Sequence, residues 1–265
     1  MEGEPTKVTK IDLGSDESRG ARGTVGENGL FYCFGVYAPT ESRRINGMFY
    51  TRINSKTDEI ELSEKHEFTA ADLANIPKED KKVKDKDGEA SLDYFVYRDI
   101  FVQADGSLLV TAEQYSSGVV STGKHTFVVF NAFDIFNFNI LPDGKIAWLN
   151  VISKKQSFGI GEYVSYARIN NAKGNAHFFY NDNPDNVALP MDKPAKRMGL
   201  KTAVCLTTMA PDGKIKRNMF SQTREIEERL SSQECVAIGQ DKMFLLLAKY
   251  PKVGKPSYRF GIVDL

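Results

Sequence analysis

The tetrapeptide Pro142-Asp143-Gly144-Lys145 recurs as Pro211-Asp212-Gly213-Lys214, each time between two apolar runs. A looser copy stands at Ala104-Asp105-Gly106-Ser107. Proline presets φ at the first turn position, and Asp and Gly accept the αR and αL conformations that follow. Each copy therefore reads as a tight hairpin with a strand on either side. Turn chemistry repeated in register demands a series of antiparallel strand pairs.

The segments between the turns agree. Ile146–Ile152 and Ala203–Thr207 are rich in β-branched and large apolar residues, as strands require. Leu108–Thr111, Phe178–Tyr180 and Phe244–Leu247 read as buried inner strands, and Phe127–Ile140 as one bent strand or two. Sorted into units, the strands are Gly23–Val25, Leu30–Tyr37, Gly47–Ile53 and Ile60–His66; then Tyr97–Gln103, Ser107–Tyr115, Phe127–Ile140 and Lys145–Ile152. The third unit holds Tyr163–Ile169, Asn175–Asn181, Thr202–Met209 and Lys214–Phe220, and the fourth Glu234–Ile238, Lys242–Lys249 and Tyr258–Val263. The expectation is an all-β, β-propeller-like array of about four antiparallel four-stranded blades, a single domain over residues 1–265. The last unit lacks an outer strand. Either Lys7–Leu13 supplies it and closes the array, or the chain is a fragment of a larger propeller.

A charged, partly helical insertion is expected at 67–93. Thr69-Ala70-Ala71-Asp72 resembles a helix N-cap with an acidic third residue, and Pro77 ends the helix. Lys78–Glu89 then mixes Lys with acidic residues around a lone Val83 and reads as a solvated loop. Besides Thr69–Ile76, only Arg224–Leu230 offers a second helix.

Loop length is the strongest functional clue. The a-to-b turns are short, at Glu27-Asn28-Gly29, Asp105-Gly106, Lys173-Gly174 and Gln240-Asp241. The b-to-c loops Ala38–Asn46, Ser116–Thr126 and Asp182–Lys201 are long, as are the d-to-a connections, including Ser153–Glu162 and Ser221–Gln233. Strand alternation sends every long connection to one face, which favours a binding surface there. Polar and aromatic residues cluster where strands meet that face: Glu113, Gln114 and Tyr115; Lys154 and Gln156; Tyr163 and Tyr166; Asn181, Asp182 and Asn183. Acid, amide, base and ring together suit a polar small molecule, a glycan or a peptide.

The elements Thr111–Tyr115, Asp143–Trp148, Ile152–Gln156 and Tyr180–Asn183, in that order, resemble a set of uncharacterised bacterial propeller-like proteins that are often exported. The resemblance covers roughly Tyr94–Gln222. It implies a propeller fold and an envelope or extracellular setting, and it carries no catalytic residues. The polar start Met1–Pro5 has no signal-peptide character.

Several chemistries are disfavoured. Lys plus Arg and Asp plus Glu number 35 each, so no global field draws nucleic acid. No apolar run approaches the roughly 20 residues of a membrane helix. Cys33, Cys205 and Cys235 sit in strand contexts as buried free thiols without metal spacing. His66, His125 and His177 lack metal-ligand spacing, and no nucleophile elbow, phosphate loop or dinucleotide fingerprint occurs. Asp182–Asn186 reads as a Pro-containing turn rather than a Ca²⁺ loop. No cofactor or metal is expected. Two functions remain: a non-catalytic binding module using the loop face, and a propeller-type glycoside hydrolase with two carboxylates among Asp99, Glu113 and Asp182. Carboxylates held by Lys154 or Arg98 would favour the module.

Overall fold

The computed structural model describes residues 8–42, 45–72, 76, 95–199, 202–222, 228–249 and 255–265. They are all-β, with four antiparallel sheets and only short 3-10 segments between strands. The sheets follow one another in chain order. The first is β1 (Asp16–Val25), β2 (Leu30–Pro39), β3 (Gly47–Asn54) and β4 (Ile60–Glu67). The second joins β5 (Phe95–Val102), β6 (Leu108–Ser121), β7 (Thr126–Ile140) and β8 (Ile146–Ile152), with β9 (Gln156–Phe158) on the upper part of β7. The third is β10 (Ala167–Asn170), β11 (Ala176–Asp182), β12 (Ala203–Met209) and β13 (Ile215–Gln222). In the fourth, β14 (Glu228–Leu230) and β15 (Val236–Ile238) lie in tandem along one edge of β16 (Lys242–Lys249), and β17 (Ser257–Asp264) along the other. No helix among the described residues is long and apolar enough to cross a membrane.

The repeated turns are one device used several times. Leu141 N–H donates to Lys145 O at 2.8 Å and Gly144 N–H to Leu141 O at 2.9 Å; Ala210–Lys214 repeats this at 2.9 and 2.9 Å. Gln103–Ser107 and Asn171–Asn175 close in the same way. In each the glycine takes positive φ, from 78° at Gly174 to 86° at Gly144. The aspartate supplies the second lock: Asp143 Oδ1 accepts from Lys145 N–H at 3.1 Å, and Asp212 Oδ1 from Lys214 N–H at 3.0 Å.

The described residues of Met1–Ile76, Lys84–Ala112 and Phe136–Asn150 form one compact unit. Its core rests on β2, where Tyr32, Phe34, Val36 and Ala38 share one buried face. Phe34 meets Phe138 at 5.1 Å and Tyr97 edge-on at 5.8 Å between ring centroids. The opposite face of β2 and β3 presents Cys33, Tyr37 and Phe49, covered by Ile11 and Leu13. Those two residues explain why the proposed outer strand Lys7–Leu13 is not seen: Val8–Leu13 is irregular and packs on the first sheet (Lys7 lies outside the described residues).

The described residues of Pro77–Val83, Glu113–Ile135 and Val151–Leu265 form the second unit. Ala167, Ile169, Phe179 and Val204 of the third sheet pack there with Met243 and Leu245 of the fourth and with Leu230. His177 is buried and shares a 3.1 Å hydrogen bond with Thr208 Oγ1, a core histidine. The three cysteines are free.

Four sequence expectations change at the level of elements. The stretch Ser116–Thr126 is not a long loop: β6 runs to Ser121, β7 starts at Thr126, and Thr122 N–H bonds His125 O at 2.9 Å to close a hairpin. Its β-branched Val119 and Val120 lie in β6 instead of a loop. Tyr163 belongs to a 3-10 turn before β10. The capping bonds at Thr69 and Asp72 form reciprocally, at 2.8 Å to Thr69 N–H and 3.2 Å from Asp72 N–H. Ala70–Asp72 is a turn, residues 73–75 lie outside the description, as does nearly all of the rest of 67–93, and Glu228–Leu230 is strand where a helix was anticipated (223–227 are not described). Trp148 is half-buried on β8, while Leu149 and Val151 are buried and Ala147 is exposed.

Candidate functional site

In the second unit, polar side chains from β6, β9, β11 and the turn before β10 converge in the interior. Lys154 Nζ lies 2.8 Å from Glu113 Oε1, with both side chains 0% exposed. The other carboxylate oxygen, Oε2, accepts from Ser165 Oγ at 2.6 Å. Lys154 Nζ also donates to Gln156 Oε1 at 3.0 Å. Gln156 Nε2 donates to Ser165 O at 3.2 Å and Asn181 O at 2.7 Å, while its Oε1 accepts Ser165 N–H at 2.7 Å. Asn181 continues the network, donating from Nδ2 to Tyr163 O at 2.9 Å and Leu230 O at 2.8 Å and accepting Leu230 N–H at 2.9 Å. Ser165 holds φ +74°, a left-handed conformation that a residue with a Cβ adopts only when its surroundings insist. Here the Gln156 amide and the Glu113 carboxylate hold it from both ends.

Charge burial leaves its mark on this network. Desolvation pushes the Lys154 ammonium down from its ordinary range, and the Glu113 carboxylate opposes that. Asp182, wholly buried, is pushed up to about 6 by desolvation, against hydrogen bonds from Asn186 and Asn183 and the charges of Arg217 and Lys154. Its Oδ1 accepts from Asn183 N–H and Asn186 Nδ2, each at 2.8 Å, and its Oδ2 has no hydrogen-bond partner.

Asn186 extends this order into the long connection after β11. It donates to Lys196 O at 2.8 Å and accepts Lys196 N–H at 2.8 Å. Ala195 N–H donates to Ser153 Oγ at 3.1 Å, and Met198 N–H to Lys155 O at 2.8 Å. Residues 195–198 are thereby pinned beside β9, which sets Arg197 at the edge of an open cleft of about 540 Å³. The cleft is lined by Val119 and Val120 of β6; Phe127, Val129, Asn131 and Phe133 of β7; and Lys155, Ser157 and Arg197. The four β7 residues are alternate positions and so share one face. Asn131 stands opposite Ser157 in register, and Arg197 Nη2 donates to Ser157 Oγ at 2.9 Å.

Of the sequence-derived candidates, Glu113, Lys154, Gln156 and Asn181 come together, with Asp182 next along the chain, but all are buried. Tyr163 donates from its hydroxyl to Ala248 O at 3.2 Å, and Tyr166 packs edge-on against Phe178 at 5.4 Å. Gln114 and Tyr115 are half-buried on β6. Asn183 reaches Arg197 O at 3.0 Å and accepts Asp185 N–H, which settles Asn183–Asn186 as a capped turn. Among the described residues no group of three or more His, Cys, Asp or Glu is placed to hold a metal ion. Asp99 belongs to the first unit. None of the ten candidates lines the cleft. Of the lining residues, Lys155 and Ser157 are neighbours of those candidates, one step out of phase along the chain. The alternating Phe127, Val129 and Phe133 was the signal that could have found them.

No family model matches the chain, and no curated protein matches it. Among solved structures it is similar to a mutant levansucrase of B. subtilis, with a TM-score of 0.36 and 9% identity, covering 94% of this chain and 67% of that one.

Proposed function

We propose that this protein is a non-catalytic binding module that takes its ligand on the long-connection face of the second unit. The observation that carries the reading is the 2.8 Å pair of Lys154 with Glu113, fully enclosed. A carboxylate neutralised by a buried ammonium serves structure, whereas a glycosidase needs two carboxyl groups flanking a sugar. The polar network then acts as a foundation. It underlies the β6–β7 hairpin and the connections 153–162 and 182–199, whose residues line the cleft. A glycan or peptide was expected from the buried set, so the lining residues must decide the ligand class instead.

One observation favours a propeller-type glycoside hydrolase as the second reading: Asp182 has the raised affinity for a proton that a general acid requires. Of the other two candidate carboxylates, Glu113 is paired with Lys154 and Asp99 belongs to the first unit.

The test is a thermal-shift panel of glycans, peptides and small polar molecules, run beside chromogenic aryl glycosides. A binding module should give a saturable rise in Tm with at least one compound and no turnover, because a ligand of the native state alone stabilises it. Glycoside turnover abolished by Asp182→Asn would replace this reading with the hydrolase.

A further inference from the structure

We infer that the cleft of the second unit accepts a small amphipathic anion, a carboxylate carried on an apolar body. This rests on the binding reading above and names its ligand class. The wall built from Val119, Val120, Phe127, Val129 and Phe133 is apolar, and much of it is open to solvent: Val119 is 69% exposed and Phe127 45%. Exposed apolar side chains gathered along a concavity mark an interaction site more often than scattered ones do. The volume, about 540 Å³, suits a small molecule.

The charge at this site has one sign. Lys155 and Arg197 line the cleft, no carboxylate lines it, and among the described residues neither cation is ion-paired. Arg197 reaches Ser157 with one terminal nitrogen, which orients the guanidinium and leaves further donors for a carboxylate. Lys155 is half-buried, with its own carbonyl fixed by Met198 N–H. A guanidinium held by a hydroxyl, beside an ammonium and at the end of an apolar wall, complements an anion with an apolar tail. A neutral sugar would find few acceptors there, Asn131 and Ser157 being the uncharged polar residues of the lining.

The experiment is calorimetric titration of the whole chain with octanoate and with 1-octanol, which share the tail and differ in charge. Octanoate should bind at a single saturable site and exceed 1-octanol about tenfold or more, the worth of a charged hydrogen bond. Lys155→Gln combined with Arg197→Gln should erase that preference while leaving 1-octanol binding unchanged. Phe127→Ser, at an exposed position where the fold tolerates it, should weaken both. Unchanged melting temperatures in all variants separate these effects from unfolding. Equal affinity for the two probes, or no saturable octanoate binding, overturns the anion assignment. If a glycan still binds at the cleft in that case, the binding-module reading stands alone. Glycoside turnover, in contrast, would remove the module reading whatever octanoate does.

Discussion

Burying Lys154 and Glu113 together costs desolvation that their attraction only partly repays, so the two single variants and the double variant should behave differently. Glu113→Gln or Lys154→Met leaves one buried charge without its partner and should cost about 3–5 kcal/mol, read from urea midpoints. The combined variant should recover much of that loss. If the double variant is as unstable as the sum of the singles, the pair is not the coupled unit described. Asp182 supplies a pH dependence. Its folded-state pKa, about 6, lies above the ordinary 3.8, so the folded state holds the proton more tightly. That contribution is complete below the ordinary value and is lost as pH rises through about 6. Asp182→Asn removes it, so the variant should gain on the parent by about 2–3 kcal/mol between pH 4 and pH 7. Parallel stability curves for the two proteins over that range would show that Asp182 is not held this way. The sequence brought Glu113, Lys154, Gln156 and Asn181 forward because polar residues at strand ends are visible in one dimension. Whether such residues face water or the interior depends on neighbours distant in sequence, such as Ser165, which lies 52 positions from Glu113.

Turns were the most legible elements, since a Pro-Asp-Gly-Lys run carries its whole geometry locally. Gly144 and Gly123 separate two ways in which a turn glycine can matter. Both hold positive φ, 86° and 81°. A Cβ on Gly144 would sit 2.6 Å from Glu64 Cγ and 3.2 Å from Tyr50, whereas one on Gly123 meets nothing within 4 Å. Gly123→Ala should therefore cost about 1 kcal/mol of backbone strain alone. Gly144→Ala should cost about 1–2 kcal/mol more, because Glu64 and the first sheet must also shift. Equal losses in chemical denaturation would mean that Glu64 moves aside freely. The β6–β7 hairpin was less legible. Ser116-Ser117-Gly118 looks like a loop, and only the pairing of β6 with β7 turns it into strand. Trp148 shows the same dependence on context. Its strand carries apolar residues on both faces, yet Trp148 itself is half-buried, so Trp148→Ala should cost about 2 kcal/mol rather than the 3–5 of an enclosed aromatic ring.

For the whole chain, equal counts of 35 cationic and 35 anionic residues mean that the positive character of the cleft is local. A molecule without net charge projects no long-range field, and at 0.1 M salt the influence of Lys155 and Arg197 fades within about 10 Å. An anion would reach the cleft by ordinary diffusion and feel the two cations only on arrival. Two consequences can be measured on one preparation. The association rate of octanoate should change less than about threefold between 50 and 500 mM salt, with most of the weakening in dissociation. Duplex DNA, which reads basic surface through its phosphates, should show no retention at about 50 mM salt, because two cations release too few counterions to hold it. An association rate that collapses with salt would require a wider basic surface than the cleft supplies. DNA binding with a steep salt slope would require the same, and would shift attention from this concavity to a surface that the charge balance of the chain argues against.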